Sequence, residues 1–245
     1  MKSTMKKANI VLSTGLVLLS TSMVTLAETK HTLLTWEASA ELGFVKTAGN
    51  SDTETTNAKF DGSTAYNSWK HALHLETLNS SSSSVRSAEK YLVSAQSDRN
   101  LDDRSYLLGI ATWEKDLFDG FDYQASFALG YGYKVIKEED MTLSLEIAPG
   151  YRISEFNAGN NEEDGILRLA ETFSWNVSET STFDQFFNTE AGDSNTISRL
   201  GVALTSQVAN ALSMKVGYTI KKNSDVPVGT EKTDRETSIT LVYKL

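Results

Sequence analysis

The sequence predicts an all-β protein: an antiparallel up-and-down barrel of about twelve strands, bounded by ten and fourteen, that crosses a lipid bilayer. Three observations predict it. Apolar and polar residues alternate with period two through nearly the whole chain, and the connections between alternating segments are long and short by turns. After an N-terminal export segment, no apolar run approaches the roughly 18 residues that a spanning helix needs. Crossing then falls to strands, because in lipid only a helix or a closed barrel satisfies its own backbone.

The clearest alternation runs from Phe121 to Val135, where Tyr123, Ala125, Phe127, Leu129, Tyr131, Tyr133 and Val135 share one face. Gln124, Ser126, Ala128, Gly130, Gly132 and Lys134 share the other. The next segment, Met141 to Ile153, repeats the design with Leu143, Leu145, Ile147, Pro149 and Tyr151 opposite Ser144, Glu146, Ala148, Gly150 and Arg152. Lipid-facing sets are also read at Trp36 to Phe44, Ala58 to Tyr66, Trp69 to Leu75, Tyr91 to Ala95, and Tyr106, Leu108 and Ile110. Later sets are Leu167 to Val177, Leu200 to Val208, Leu212 to Ile220 and Ile239 to Leu245; between them, Phe186-Phe187 breaks the alternation of a strand around Phe183 to Glu190. An even strand number places both termini on the periplasmic side.

Odd-numbered connections are expected to be the long ones: Thr47 to Thr53, Asn79 to Ser87, Glu155 to Asp164 and Asn223 to Thr233. Even-numbered ones are mostly tight, as at Asn67-Ser68, Lys137 to Asp140, Ser178 to Ser181 and Ala209-Asn210, with Arg99 to Asp103 intermediate. Aromatics such as Trp36, Tyr66, Trp69, Tyr151, Trp175 and Tyr243 stand near strand ends, where interfacial girdles form. The last strand alternates and ends on apolar Leu245 where outer-membrane barrels often carry an aromatic, a mild departure expected to weaken recognition by the barrel-assembly machinery.

The export segment has a basic start at Lys2, Lys6 and Lys7, an apolar core from Ile10 to Leu19, and small residues up to Ala27, after which cleavage is expected. Residues 28–245 then form the barrel. Losing three basic and no acidic residues takes the formal charge from −9 to −12. An acidic chain is a poor partner for nucleic acid. With no cysteine there is neither a disulfide framework nor a lipid attachment point, and two prolines leave no linker between domains.

Four segments carry a family resemblance: "WEASAELGFVKTAGNSDT" from Trp36, "YLLGIATWEKDLFDGF" from Tyr106, "ALGYGYK" from Ala128 and "TSITLVYKL" from Thr237. They resemble the DUF481 family, described as salt-induced outer-membrane proteins of the Gram-negative envelope. Gly49, Asn50, Ser51 and Asp52, and the corner from Trp113 to Gly120, are the most specific pieces. The resemblance implies the fold and an outer-membrane location, with outer-membrane lipid and lipopolysaccharide as surroundings. It brings no catalytic residues.

Candidate chemistry is sparse. Gly49-Asn50-Ser51-Asp52 reads as a turn whose Asn and Asp bond nearby backbone; a calcium site would need more converging oxygens. Of the histidines, His31, His71 and His74, alternation places His71 toward lipid and His74 toward the lumen, and no serine is marked as a nucleophile beside it. Glu162-Glu163-Asp164, with Asp193 and Asp225, reads as solvated acidic loops, and no metal or cofactor is expected. The lumen says more: Glu41, Lys59, Lys70, Glu76, Glu146, Arg152, Arg168, Arg199 and Lys215 all fall inward, with Glu37, Asp61, Lys221 and Lys244 on the same faces. These mixed charges either cross-brace a narrow barrel or line a small hydrated pore. The expected function is a non-enzymatic conduit for small polar solutes or ions, or an envelope-integrity element under salt stress. The alternatives are an outer-membrane lipid hydrolase built on His74 and, beyond it, a soluble periplasmic barrel that binds an apolar ligand.

Overall fold

The computed structural model describes residues 34–47, 53–82, 85–117, 119–157 and 159–245. Among them run twelve strands: β1 (Thr35–Thr47), β2 (Thr53–Tyr66), β3 (Trp69–Ser82), β4 (Val85–Asn100), β5 (Ser105–Asp116), β6 (Phe121–Lys137), β7 (Met141–Phe156), β8 (Asn161–Ser178), β9 (Ser181–Gly192), β10 (Thr196–Ala209), β11 (Leu212–Asn223) and β12 (Thr233–Lys244). Each pairs antiparallel with its sequence neighbours, and β12 returns to β1, so the sheet is a closed barrel. The export segment, His31 and the Gly49 to Asp52 turn lie outside the described residues.

β1 enters and β12 leaves at the same end, the terminal end, where Ser39 pairs with Lys244. The tight turns sit there. Asn67, with φ of 55°, and Ser68 join β2 to β3; a left-handed φ suits asparagine and matches the twist of the flanking strands. At the opposite, loop end the expected contrast of long and short connections is weaker than the spacing suggests. Asn79 to Ser82, Val85 to Ser87, Glu155 and Asn161 to Asp164 are strand rather than loop, so the ladders run on past the apolar belt. Among the described residues one long connection remains there, residues 224–232 between β11 and β12.

The outer surface is apolar. Leu42, Phe127, Leu129, Ile147, Leu169, Leu204, Val216 and Leu241 all stand exposed on it, each at a cost near 2 kcal/mol if the solvent were water. No described segment is a helix, and the apolar belt is built by strands. His71 faces outward, stacked on Trp69 with ring centroids 5.9 Å apart, and Arg99 lies over the same indole.

Two face assignments change. In β5, Tyr106, Leu108 and Ile110 point inward, while Leu107, Ala111 and Trp113 face out. The pattern was ambiguous because both faces of β5 are apolar, and the interior face wins since β6 and β7 offer it a bed of small residues. A Cβ at Gly132 would fall 2.1 Å from Tyr106 Cζ, so the phenol ring lies flat where only glycine leaves room. In β9 strict alternation survives: Phe186 points inward over Gly201, and Phe187 points outward.

The closing ladder is short. Ser39 to Leu42 pair with Leu241 to Lys244, whereas β1 pairs with β2 along its whole length. A side-chain brace backs this seam: Glu41 accepts from Lys215 Nζ at 2.6 Å and from Thr240 Oγ1 at 3.2 Å.

Gly132→Leu should displace the Tyr106 ring and cost about 1–3 kcal/mol of stability by overpacking. Gly165→Ala, where an added Cβ meets nothing within 4 Å, should cost little. Urea midpoints of the two variants, followed by heat-modifiable gel migration, check this pair.

Candidate functional site

The interior divides into a sealed half and an open half. Near the loop end, Lys221 of β11 donates to Glu114 of β5 at 2.8 Å and also bonds Asp119. Arg199 of β10 donates to the other Glu114 oxygen at 2.5 Å. Asn223, fully buried, donates to Asp119 at 3.2 Å. β5 and β11 lie six strands apart in a ring of twelve, so these bonds tie opposite walls together across the lumen. Residues 224–232 reach over the same gap: Gly120 packs so close to Pro227 that a Cβ would sit 2.8 Å from its ring.

Arg152 completes the seal from the β7 side. Its guanidinium, 2% exposed, donates to Asp164 at 2.8 Å and to the carbonyl of Asn195 at 2.5 Å, with Glu190 at 3.8 Å. Ser194 and Ser126 supply further donors to Asp164 and Glu190. A planar fork with several donors suits this crossing better than an ammonium would.

Below the seal the lumen opens. A cavity of ≈ 480 Å³ is bordered by Lys59, His74, Glu76, Lys90, Arg168 and Arg199. A second, of ≈ 660 Å³, shares Asp61, His74 and Ser94 with it and continues past Glu37 and Lys244 toward the terminal end. Their walls are ion-paired: Glu76 takes Lys59 at 3.3 Å and Lys90 at 3.5 Å, and Glu146 takes Arg168 at 2.7 Å, Tyr106 at 2.9 Å and Gln96 at 3.0 Å.

The expected lumen set is therefore brought inside, but as separate clusters. Glu41 and Lys215 guard the seam; Lys59 and Glu76 line the cavity; Glu146 and Arg168 pair on its far wall; Arg152 and Arg199 belong to the seal. Lys70 shares the inner face opposite Asp98 but is exposed near the terminal end. Glu114 was missed because the β5 face was reversed; its charge, on the parity of Tyr106, was the available signal. Glu190 was hidden in the broken alternation of β9.

His74 lies between carboxylates, with Nδ1 2.7 Å from Asp61 and Nε2 3.6 Å from Glu76. Ser94 is its cross-strand partner on β4, but both ring nitrogens face carboxylates rather than a serine hydroxyl. The carboxylates of Glu114, Asp116 and Asp119 come within 4.8 Å of one another, as a cation site would require. Lys221 already supplies the positive charge there.

An apolar cylinder around a charged, hydrogen-bonded interior defines a transmembrane β-barrel protein. A family model described as "Protein of unknown function, DUF481" matches residues 40–245, and the chain belongs to that family. It is 27% identical over 219 residues to "Uncharacterized protein YdiY" of Escherichia coli (strain K12), covering 86% of this chain and 83% of that one. Among solved structures, a NanC porin is similar with a TM-score of 0.54 at 11% identity, over 85% of this chain and 100% of that chain. The translocator domain of the autotransporter NalP from Neisseria meningitidis reaches 0.46 at 12% identity, over 89% and 90%. The NanC likeness is one of fold.

Arg152→Ala would leave Asp164 and Glu190 buried against each other and should cost about 3–5 kcal/mol, as removing one partner of a buried pair does. Chemical denaturation in detergent against Lys70→Ala, expected near zero, checks the difference.

Proposed function

We propose that this chain is a non-enzymatic outer-membrane barrel of a Gram-negative envelope, exported by its N-terminal segment and trimmed after Ala27. In this reading it serves as a narrow passive conduit for small polar solutes or ions, closed toward the cell exterior in the conformation described. One observation carries the reading: a polar cavity runs from the terminal end, the periplasmic side, up to the layer where Glu114, Lys221 and Arg199 meet. A barrel whose role is only to fill membrane has no need of that space. The lining carries both signs of charge, so a solute passing it meets no strong preference between anions and cations. Outer-membrane lipid and lipopolysaccharide surround the belt, and the barrel-assembly machinery inserts it.

A second reading has its own support. The bonds between opposite walls brace the cylinder, which suits an envelope-integrity element active under salt or osmotic stress. Conductance separates the two. Refolded mature protein in planar bilayers should open rarely, and Lys221→Ala with Arg199→Ala should raise conductance about tenfold and favour cations, since Glu114 and Asp119 then stand bare at the constriction. A barrel that folds in both forms and conducts in neither would leave the bracing role in its place.

A further inference from the structure

The lipid-facing belt holds one feature that a conduit does not need. On β8 the outward residues run Leu167, Leu169, Glu171, Phe173 and Trp175, placing a carboxyl group at the centre of an otherwise apolar row. Its cross-strand neighbours are Leu145 on β7 and Phe187 on β9. Gln185, between Phe183 and Phe187 on β9, donates to Glu171 Oε2 at 3.0 Å. About ten residues of a tilted strand cross the hydrocarbon, so two apolar residues on each side of Glu171 set the pair near mid-depth. A carboxyl group among lipid tails is costly, and intramembrane polar groups are kept where they meet a partner.

We propose that this face is a twofold interface between two copies of the chain, centred on Glu171 and Gln185. The pair is self-complementary. Gln185 has a second N–H and an amide oxygen beyond the bond it makes, and Glu171 has a second carboxyl oxygen. A twofold axis normal to the membrane brings each Gln185 against the partner's carboxyl group, so that two amides and two carboxyl groups close one ring of hydrogen bonds. Phe173, Phe183 and Phe187 form an apolar rim that shields the ring from lipid. A lipid or a polar solute offers no such matched set of donors and acceptors.

The inference rests on membrane insertion, which heat-modifiable migration reads independently of association. The chain contains no cysteine, so a single introduced thiol reports only its own position. Leu169→Cys marks the proposed face, and Leu73→Cys on β3 marks the belt six strands away from β9. In dilute proteoliposomes of the full mature chain, oxidation should cross-link Leu169→Cys about tenfold more than Leu73→Cys. Adding Glu171→Leu and Gln185→Leu should bring it down to the Leu73→Cys level with the barrel still folded. The exchanged pair, Glu171→Gln with Gln185→Glu, should restore the dimer. Equal cross-linking at both faces overturns the proposal, as does a leucine pair that dimerises like the parent. Should the leucine pair not fold, the exchange decides, and its failure to cross-link overturns the proposal equally.

Discussion

Every peptide group that crosses hydrocarbon must find its hydrogen bond within the protein, and the rest of this molecule follows from that constraint. It forces the sheet to close, and closure turns twelve outward faces toward lipid and twelve inward faces toward one another. The apolar alternation, the glycine and alanine bed beneath Tyr106, and the short turns are the local terms on which a closed sheet can be made from this sequence. Among the described residues the buried apolar cluster is small, Tyr106, Leu108 and Ile110 over Ala128 and Ala148, and most large apolar side chains are on the outside. Elsewhere the packing inside is polar, and its energetics are those of paired charges at low dielectric: small in net gain when complete and severe when a partner is lost.

That asymmetry explains how the charges are distributed. Arg152 and Lys221, which lie deepest, each meet more than one acceptor, and Asp164, Glu190 and Asp119 accept again from serine or asparagine. Charges beside the cavity, such as Lys59 and Lys90, share one carboxylate and remain in reach of water. The step from the nearly inaccessible Arg152 and Lys221 to the part-exposed Lys59 and Lys90 marks where the lumen is sealed and where it opens. Sealing comes from groups on opposite walls, so loss of one link loosens the layer without dismantling the sheet.

Much of this was legible in the chain, because a period of two is imposed on each strand independently and survives without knowledge of its neighbours. Trp36 to Phe44, Tyr123 to Val135 and Leu212 to Ile220 could be assigned a face from their own residues. Where both faces are mostly apolar, as in β5, alternation is weak, the charge of Glu114 being its one local signal, and the room for Tyr106 inside came from glycine in β6. The lumen residues could be named for the same reason, but not their partners: Glu114 finds Lys221 107 positions away, through register and barrel closure that no local pattern encodes. Glu171 breaks the lipid-facing pattern of its own strand and is conspicuous only once that strand's faces are fixed.

The seam between β1 and β12 has a consequence for how the molecule comes into being. Eleven of its ladders join consecutive strands and can grow as hairpins, whereas the twelfth joins residues about two hundred positions apart. Long-range closure of that kind is the slow entropic step of assembly, and here it gains the shortest ladder in return. Glu41, Lys215 and Thr240 therefore act as a clasp: they add to the seam the bonds that its few paired backbone groups cannot supply, and they can do so only after the ring has met itself.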